Sequence, residues 1–283
     1  MMKDIILNNG ISMPIMGLGT FLLSSDEAES AVITALKNGY RLIDTANVYV
    51  NEKAVGRGIK KSGVLRQEIF LETKLWPVFY EDDHAIDKTL KRLDVDYIDL
   101  MILHQPAGNY LAGYQQLEKA YKEGKLKAIG ISNFNIEEIQ EILENCEILP
   151  ALIQVEAHPY YPQEKLRAFL AKNKIALQAW YPLGGRDNKA LLQEEVILQL
   201  AQKYQKSPAQ IILRWHVQQD IIVIPGSKTP AHIQENINIF DFALTKEEML
   251  KIVAINKNEP FYHRDEETLK RFASWYPDVE GQK

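Results

Sequence analysis

Four side chains in this sequence have the chemistry of a proton relay. An acid, a phenol, an ammonium and an imidazole lie at or just past the ends of three successive apolar segments; they are Asp44, Tyr49, Lys74 and His104, and the segments are Tyr40–Ile43, Glu68–Thr73 and Tyr97–Leu103. A phenol has an ordinary pKa near ~10, so it donates a proton at neutral pH only if its conjugate base is stabilised. A nearby ammonium provides that stabilisation, and a carboxylate that holds the ammonium completes the relay.

The apolar segments are typical of buried parallel strands, because they are short, rich in Ile, Leu, Phe or Tyr, and preceded by stretches with helical spacing. Strands are predicted near 15–19, 40–44, 68–73, 97–103, 126–131, 151–156, 175–180 and 220–224, and helices at 26–38, 51–61, 82–92, 110–123, 135–145, 163–172, 194–204 and 230–238. This α/β alternation predicts a (β/α)8 TIM barrel. The carboxyl ends of the strands in such a barrel share one mouth, so the four residues are expected to meet there.

Turn and cap signals extend this prediction to both ends of the chain. The pair Asn9-Gly10 favours an N-terminal hairpin, while Ser24, the segment 132–135 and Ser207-Pro208 are helix-start signals. A further helix at 245–255 and a tail from 260 to 283 follow the barrel. No linker or second domain is evident, so residues 1–283 are predicted to form one domain. The aromatic tail is expected to pack across the barrel, and the sequence leaves open whether it covers the mouth. Its aromatic residues are Phe261, Tyr262, Phe272, Trp275 and Tyr276.

Composition excludes several classes of function. The net charge of -5 argues against nucleic acid or an anionic membrane as the main partner. The start of the sequence has no apolar leader and no apolar run approaches membrane-spanning length, so the cytoplasm is the expected location. Cys146 is the only cysteine, which excludes an internal disulfide and a multi-cysteine metal site, and no metal is expected.

Taken singly, each of the four residues has a structural explanation. Asp44 could cap a turn, Lys74 could be a solvated strand end, and His104 could be a satisfied core histidine. Tyrosines such as Tyr49 line many surfaces. The combination of the four, at the ends of neighbouring strands, is what favours a catalytic interpretation.

Longer motifs resemble the aldo-keto reductase family. The segment 42–52 with Gly56, Leu-Ile-Asp-Thr-Ala-Asn-Val-Tyr-Val-Asn-Glu, looks like the family signature, and matches continue at 72–76, 129–134, 154–160, 224–227 and 235–236. The resemblance covers nearly the whole chain and is closest in character to bacterial 2,5-diketo-D-gluconate and methylglyoxal reductases.

The resemblance implies an NADP(H)-dependent reductase of aldehydes and ketones. Tyr49 would protonate the carbonyl oxygen, Lys74 paired with Asp44 would make the phenol a better acid, and His104 would orient the carbonyl. Ser132, Asn133 and Gln154 would hold the nicotinamide carboxamide, and Trp180 would stack on its ring, although core packing also explains Trp180. The full set of expected cofactor contacts comprises Gly19, Thr20, Asp44, Ser132, Asn133, Gln154, Trp180, Leu183, Gly184, Pro225, Gly226, Ser227, Lys228, His232, Glu235 and Asn236.

The cofactor phosphates are expected near the last two strands. The segment 17–22 has two glycines of a dinucleotide fingerprint but Leu22 in place of the third, so that motif is rejected. Phosphate sites of such barrels lie instead in the loops after strands seven and eight and at a helix N-terminus, here 182–185 and 226–228 leading into 230–238.

Departures from the family pattern affect the cofactor and the substrate. The usual basic residue before Ser227 is Gly226 and the usual arginine is His232, so NAD(H) is expected to be accepted beside NADP(H), with Lys228 compensating in part. Gln105 replaces the usual tryptophan after the histidine and makes the pocket more polar. The substrate contacts are predicted to be Phe21, Tyr49, Trp76, His104 and Trp275, and the substrates small aldehydes, α-dicarbonyls or keto-sugars. A monomer is expected.

Two other functions stay open at this stage. One is a cofactor-binding barrel with a regulatory or structural role, against which the complete set of four residues argues. The other is a lyase or isomerase that uses Lys74 as a Schiff-base nucleophile on the same fold.

Overall fold

Parallel strand pairing organises the fold. The computed structural model describes residues 3–185 and 190–283, so Met1 and Met2 of the predicted leaderless start lie outside the described residues. A two-stranded antiparallel hairpin comprises β1 (Asp4–Ile6) and β2 (Ser12–Pro14). Eight described strands then pair in chain order, each parallel to the next: β3 (Gly17–Gly19), β4 (Leu42–Asp44), β5 (Phe70–Leu75), β6 (Leu100–Leu103), β7 (Ile129–Ser132), β8 (Leu152–Glu156), β9 (Ala176–Trp180) and β10 (Ile222–Val223).

The first and last strands of this sheet meet and bring it close to a closed barrel. Met16 pairs with Val223, and Gly19 with Gly226, in isolated parallel bridges. The amide of Val223 donates to the carbonyl of Ile15 over 3.0 Å. A Cβ on Gly19 would lie 2.7 Å from the carbonyl oxygen of Ile224, so a glycine is needed there for the two strands to approach. Gly19 of the rejected fingerprint therefore serves barrel closure.

Helices lie between the strands and follow the last one. They are α1 (Ser25–Lys37), α2 (Glu52–Ser62), α3 (Ala85–Leu93), α4 (Tyr110–Lys122), α5 (Ile136–Asn145), α6 (Glu164–Asn173), α7 (Glu195–Tyr204), α8 (Pro208–Val217), α9 (Pro230–Ile237), α10 (Lys246–Val253) and α11 (Glu266–Phe272). Capping boxes begin α1, α5 and α8 at Ser24, Asn135 and Ser207, as the cap signals predict. None of the described helices is long and apolar enough to cross a membrane.

The (β/α)8 barrel with an N-terminal hairpin is confirmed, but several predicted boundaries are wrong. The strand predicted at 97–103 is only Leu100–Leu103, and the strand predicted at 220–224 is only Ile222–Val223. Apolar residues that flank the short strands are buried by the helices around the barrel, so hydrophobicity overstates strand length. The structure also has α8, which begins at the start signal Ser207-Pro208 but is absent from the predicted helices.

Helix α8 packs against the barrel and against a second apolar cluster. Leu213 and Val217 join the main core, whereas Ile211, Ile212 and Trp215 join a separate cluster with α7 and α10. Helices α7 and α8 thus both connect β9 to β10. One strand–helix–strand unit of the barrel therefore carries an additional helix.

Candidate active site

A buried ion pair lies at the centre of the barrel mouth. Lys74 Nζ donates to Asp44 Oδ1 over 2.5 Å and to the carbonyl oxygen of Thr45 over 2.9 Å. Lys74 is fully buried and lies inside β5, whereas the sequence placed it just past that strand; Asp44 ends β4. Burial opposes the charge on Lys74, but the nearby acidic groups, chiefly Asp44, together outweigh it and raise the pKa of the ammonium above its ordinary value. Lys74 is therefore a permanent cation here.

Tyr49 lies beside this ion pair. It ends a short 3-10 turn, Asn47–Tyr49, in the loop after β4, and Lys74 Nζ lies 4.9 Å from its ring centroid. Burial raises the pKa of Tyr49 to about 12, and the positive charge of Lys74 opposes that rise. The phenol therefore keeps its proton at neutral pH and has a cation beside it to stabilise the phenolate.

His104 completes the group of four at the end of β6. Its ring packs edge-on against Tyr49 and against Trp76, with centroid distances of 5.6 and 5.2 Å. Burial, followed by the charge of Lys74, lowers the pKa of His104 well below its ordinary value, so the imidazole is neutral. Its Nδ1 is buried and has no hydrogen-bond partner among the described residues. The structure thus brings together all four residues that the sequence singled out.

A second buried carboxyl group, that of Glu72, lies two residues before Lys74 in β5 and is not among the predicted site residues. Glu72 is fully buried in β5, and its two oxygens accept from Gln154 Nε2 over 3.0 Å and from Gln178 Nε2 over 2.7 Å. Gln154 Nε2 also donates to Asp44 Oδ1 over 2.9 Å and to Gln178 Oε1 over 2.7 Å. Burial and the nearby charge of Asp44 raise the pKa of Glu72 to about 8. The amide nitrogen of Gln154, a predicted carboxamide contact, therefore points into the barrel.

Polar groups from β7 and β9 lie along another side of the mouth. Trp180 Nε1 donates to Asn133 Oδ1 over 2.9 Å, and Asn133 Nδ2 donates to the carbonyl of His104 over 3.3 Å. Ser132 Oγ is buried and has no hydrogen-bond partner among the described residues. Asn133 thus links His104 to Trp180, and the Ser132 hydroxyl that precedes it in the chain is unsatisfied among the described residues.

Aromatic rings form a continuous series around Tyr49 and His104. The Phe21 ring lies 5.0 Å from that of Tyr49, and on the other side the Trp76 ring packs against Trp275 with centroids 5.6 Å apart. Trp76 Nε1 donates to the carbonyl of Trp275 over 3.1 Å. All five predicted substrate contacts thus lie in one series, with the phenol and imidazole in its middle.

The C-terminal tail crosses the mouth through a segment that we call the strap, residues 261–264. The carboxylate of Glu156 at the end of β8 accepts from the amides of Phe261 and Tyr262 over 2.7 and 2.9 Å. Arg264 forms a bidentate pair with Glu138 on α5, at 3.0 and 2.7 Å. Between these anchors the Tyr262 ring packs 5.6 Å from that of Trp180. The expected packing of the tail across the barrel is therefore present.

The predicted phosphate region lies where β3 and β10 meet. Gly226 pairs with Gly19, and Thr20 donates through both its amide and its hydroxyl to the carbonyl of Asp44. Helix α9 follows the loop 225–228; it begins with Pro230, and its N-cap, Thr229, makes no side-chain cap to the first turn. The remaining predicted contacts differ in exposure: Pro225, Asn236 and Gly184 are buried, Leu183, Ser227 and Glu235 are half-buried, and Gly226, Lys228 and His232 are exposed.

Comparison with known proteins agrees with this geometry. The sequence pattern of the Aldo/keto reductase family matches residues 15–257. The chain is 46% identical to glyoxal reductase of Bacillus subtilis (strain 168), over 91% of this chain and 95% of that protein. It is 41% identical to methylglyoxal reductase DkgA of Yersinia pestis, over 88% of this chain and 91% of that one. The crystal structure of MGS-M4, an aldo-keto reductase from a Medee basin deep-sea metagenome library, has a TM-score of 0.89 at 43% identity, and covers 92% of this chain and 97% of that one.

The chain belongs to the aldo/keto reductase family. It is an oxidoreductase that reduces carbonyl groups to alcohols, and proteins of this family generally use nicotinamide cofactors.

Proposed function

We propose that the protein reduces small aldehydes, α-dicarbonyls and keto-sugars, with Tyr49 as the general acid. The observation that carries this proposal is the buried ion pair of Asp44 and Lys74, whose ammonium lies 4.9 Å from the centroid of the Tyr49 ring. The names of the two reductases reported above support α-dicarbonyls as substrates.

Each residue has a role that its surroundings support. When bound, a nicotinamide cofactor would supply the hydride that the carbonyl carbon receives. Tyr49 donates its proton to the carbonyl oxygen, Lys74 stabilises the phenolate that results, and Asp44 holds Lys74 in place. His104, as a neutral imidazole, donates a hydrogen bond that orients the carbonyl oxygen.

The residues present fit a nicotinamide cofactor. The carboxamide needs hydrogen-bonding groups, and the buried Ser132 hydroxyl has no partner among the described residues. Asn133, held by Trp180 and by the His104 carbonyl, lies next to it in the chain. The uncapped start of α9 and the Lys228 ammonium suit the phosphates. We assign the carboxamide to Ser132, Asn133 and Gln154, the ring to Trp180, and the phosphates to the loops 183–184 and 225–228.

The raised pKa of Lys74 argues against the Schiff-base alternative. A lysine nucleophile must lose its proton, whereas the nearby acidic groups, chiefly Asp44, keep this amine charged despite its burial. A charged Lys74 held by Asp44 beside the Tyr49 ring is what a proton relay requires.

A carbonyl panel with NADPH and NADH tests this proposal directly. We expect nicotinamide absorbance to fall with methylglyoxal, glyoxal and small aldehydes, and to fall much more slowly with bulky rigid ketones. Absence of turnover with every α-dicarbonyl and aldehyde would contradict the proposed substrate class. A cytoplasmic monomer is part of the proposal, and size-exclusion chromatography of the purified chain tests the oligomeric state.

Cofactor choice is the property in which this chain should differ from its relatives. Gly226 and His232 provide no permanent cation, so we propose that both NADPH and NADH are accepted. A charge-assisted hydrogen bond contributes roughly 1.5–3 kcal/mol, which corresponds to about tenfold or more at each position. We predict that Gly226→Lys/His232→Arg widens the kcat/KM preference for NADPH, and more so at low salt. A parent protein that already prefers NADPH about a thousandfold, roughly 4 kcal/mol, would contradict this prediction.

A further inference from the structure

An ion pair connects the proposed phosphate loop to the start of the first barrel helix. Lys228 Nζ, in the loop between β10 and α9, donates to Glu27 Oε1 on α1 over 2.8 Å. The two residues are 201 positions apart in the chain, and both side chains are partly exposed. The cation that compensates for Gly226 and His232 is therefore already paired with a carboxylate.

Glu27 is held in place by a second, independent contact. It is the third residue of α1, where its Oε2 accepts from the amide of Ser24 over 3.0 Å and the Ser24 hydroxyl accepts from the Glu27 amide over 3.4 Å. This capping box occupies one carboxylate oxygen and leaves the other for Lys228. The hydrogen bonds from Lys228 and then from Ser24 lower the pKa of Glu27 to about 2, so the carboxylate stays charged at neutral pH.

We propose that Glu27 is a specificity-determining residue that competes with the 2′-phosphate of NADPH for Lys228 and so reduces the preference for NADPH over NADH. The inference rests on the function proposed above, which sets the cofactor phosphates at the loop 225–228. NADPH differs from NADH only by that phosphate, so a competitor for its cation acts on one cofactor and not on the other.

The chain offers a substitution that isolates the charge. Glutamine is accepted at the third position of a capping box, so Glu27→Gln keeps the start of α1 while removing the negative charge that faces Lys228. Because the pair is partly exposed, its contribution is modest. We expect NADPH to bind roughly two- to fivefold more tightly to Glu27→Gln than to the parent protein.

The test measures the Kd of each cofactor directly, by isothermal titration calorimetry without a carbonyl substrate. The parent protein and Glu27→Gln are titrated with NADPH, NADH, 2′,5′-ADP and 5′-ADP. The matched control is Glu29→Gln, which removes the same charge from the same helix at a residue paired with Arg57 and Lys61. A second test repeats the change in a Lys228→Gln background.

The proposal predicts tighter binding of NADPH and of 2′,5′-ADP to Glu27→Gln, with unchanged binding of NADH and 5′-ADP. The gain is expected to shrink at high salt and to disappear in the Lys228→Gln background. An equal gain for both cofactors, the same gain in Glu29→Gln, or unchanged binding of NADPH would overturn it. If the parent protein binds neither cofactor, the proposed function fails together with this inference; binding of both with no change in their ratio would remove the inference alone.

Discussion

At the residue scale, the central feature is that β5 buries two ionisable side chains on the same face. Residues two apart in a strand point to the same side, and Glu72 and Lys74 accordingly both face the barrel interior. Lys74 is matched by Asp44 over 2.5 Å, whereas the hydrogen bonds that Glu72 receives come from the neutral amides of Gln154 and Gln178. The unmatched carboxyl group should therefore make the stability of the fold depend on pH.

Glu72→Gln should remove that dependence. The folded protein raises the pKa of Glu72 to about 8, above its value of about 4.3 in the unfolded chain. Between these values the folded state retains a proton that the unfolded state releases, so the free energy of unfolding falls as pH rises, by up to ~1.4 kcal/mol per pH unit. Urea unfolding at pH values from about 5 to about 8 should show that the free energy of unfolding of the variant rises relative to that of the parent protein as pH rises.

The control for this measurement is Glu137→Gln, the same change at an exposed residue in the first turn of α5. A plot of its free energy of unfolding against pH should run parallel to that of the parent protein over the whole pH range. If the plot for Glu72→Gln is also parallel, the Glu72 carboxyl group does not retain its proton in the folded state.

The four reactive residues were predictable because each lies near or just past the carboxyl end of an apolar strand, and parallel strands bring these ends together. Glu72 could have been found by the same reasoning, since it lies two residues before Lys74 on the same face. The segment 68–73 holds two acids, Glu68 and Glu72, and neither is among the predicted site residues. The pairing of Lys228 with Glu27 has no local signal, because it joins the two ends of the sheet.

At the element scale, the strap is the part of the barrel mouth that comes from the C-terminal tail and not from the loops after the strands. Its two anchors are Glu156, which holds two strap amides, and the bidentate pair between Arg264 and Glu138. Glu138 also completes the capping box of α5, so Arg264 is the partner that can be changed without disturbing a helix.

Arg264→Gln should loosen the strap while the barrel still folds. We expect KM for small carbonyl substrates to rise roughly threefold to tenfold, because the Tyr262 ring is no longer held against Trp180. Steady-state kinetics across the carbonyl panel checks this, and Lys270→Gln, which removes an exposed pair with Glu266, is the control. Unchanged KM for every substrate would show that the strap takes no part in binding.

Elements with strong end signals were predicted well, and short ones were not. The capping boxes at Ser24 and Asn135 give α1 and α5 clear starts, whereas β10 has only two residues inside a longer apolar run. Helix α8 was missed because the barrel pattern allows one helix between strands. Its own cap at Ser207 was the signal that pointed to it.

At the scale of the whole molecule, barrel closure and the tail bring distant segments to one mouth. Trp76 and Trp275, in contact through a hydrogen bond, are 199 residues apart. The sequence predicted the barrel from its alternation of strands and helices, and the resemblance predicted the family. The path of the tail depends on its contacts with Glu156, Glu138 and Trp76. The hydrophobic periodicity of the sequence cannot predict such long-range contacts. That residues 1–283 form one domain stays a prediction.

The most direct test of the account is turnover by Tyr49→Phe. The change keeps the ring that packs between Phe21 and His104 and removes only the proton that the carbonyl oxygen is proposed to receive. General acid catalysis is typically worth ~10²- to 10⁴-fold, so kcat for methylglyoxal should fall by at least that much while the Kd for NADPH stays nearly unchanged. Tyr161→Phe, the same change at a half-buried tyrosine beside His158, should retain full turnover. Turnover of Tyr49→Phe within about tenfold of the parent protein would contradict the assignment of Tyr49 as the proton donor.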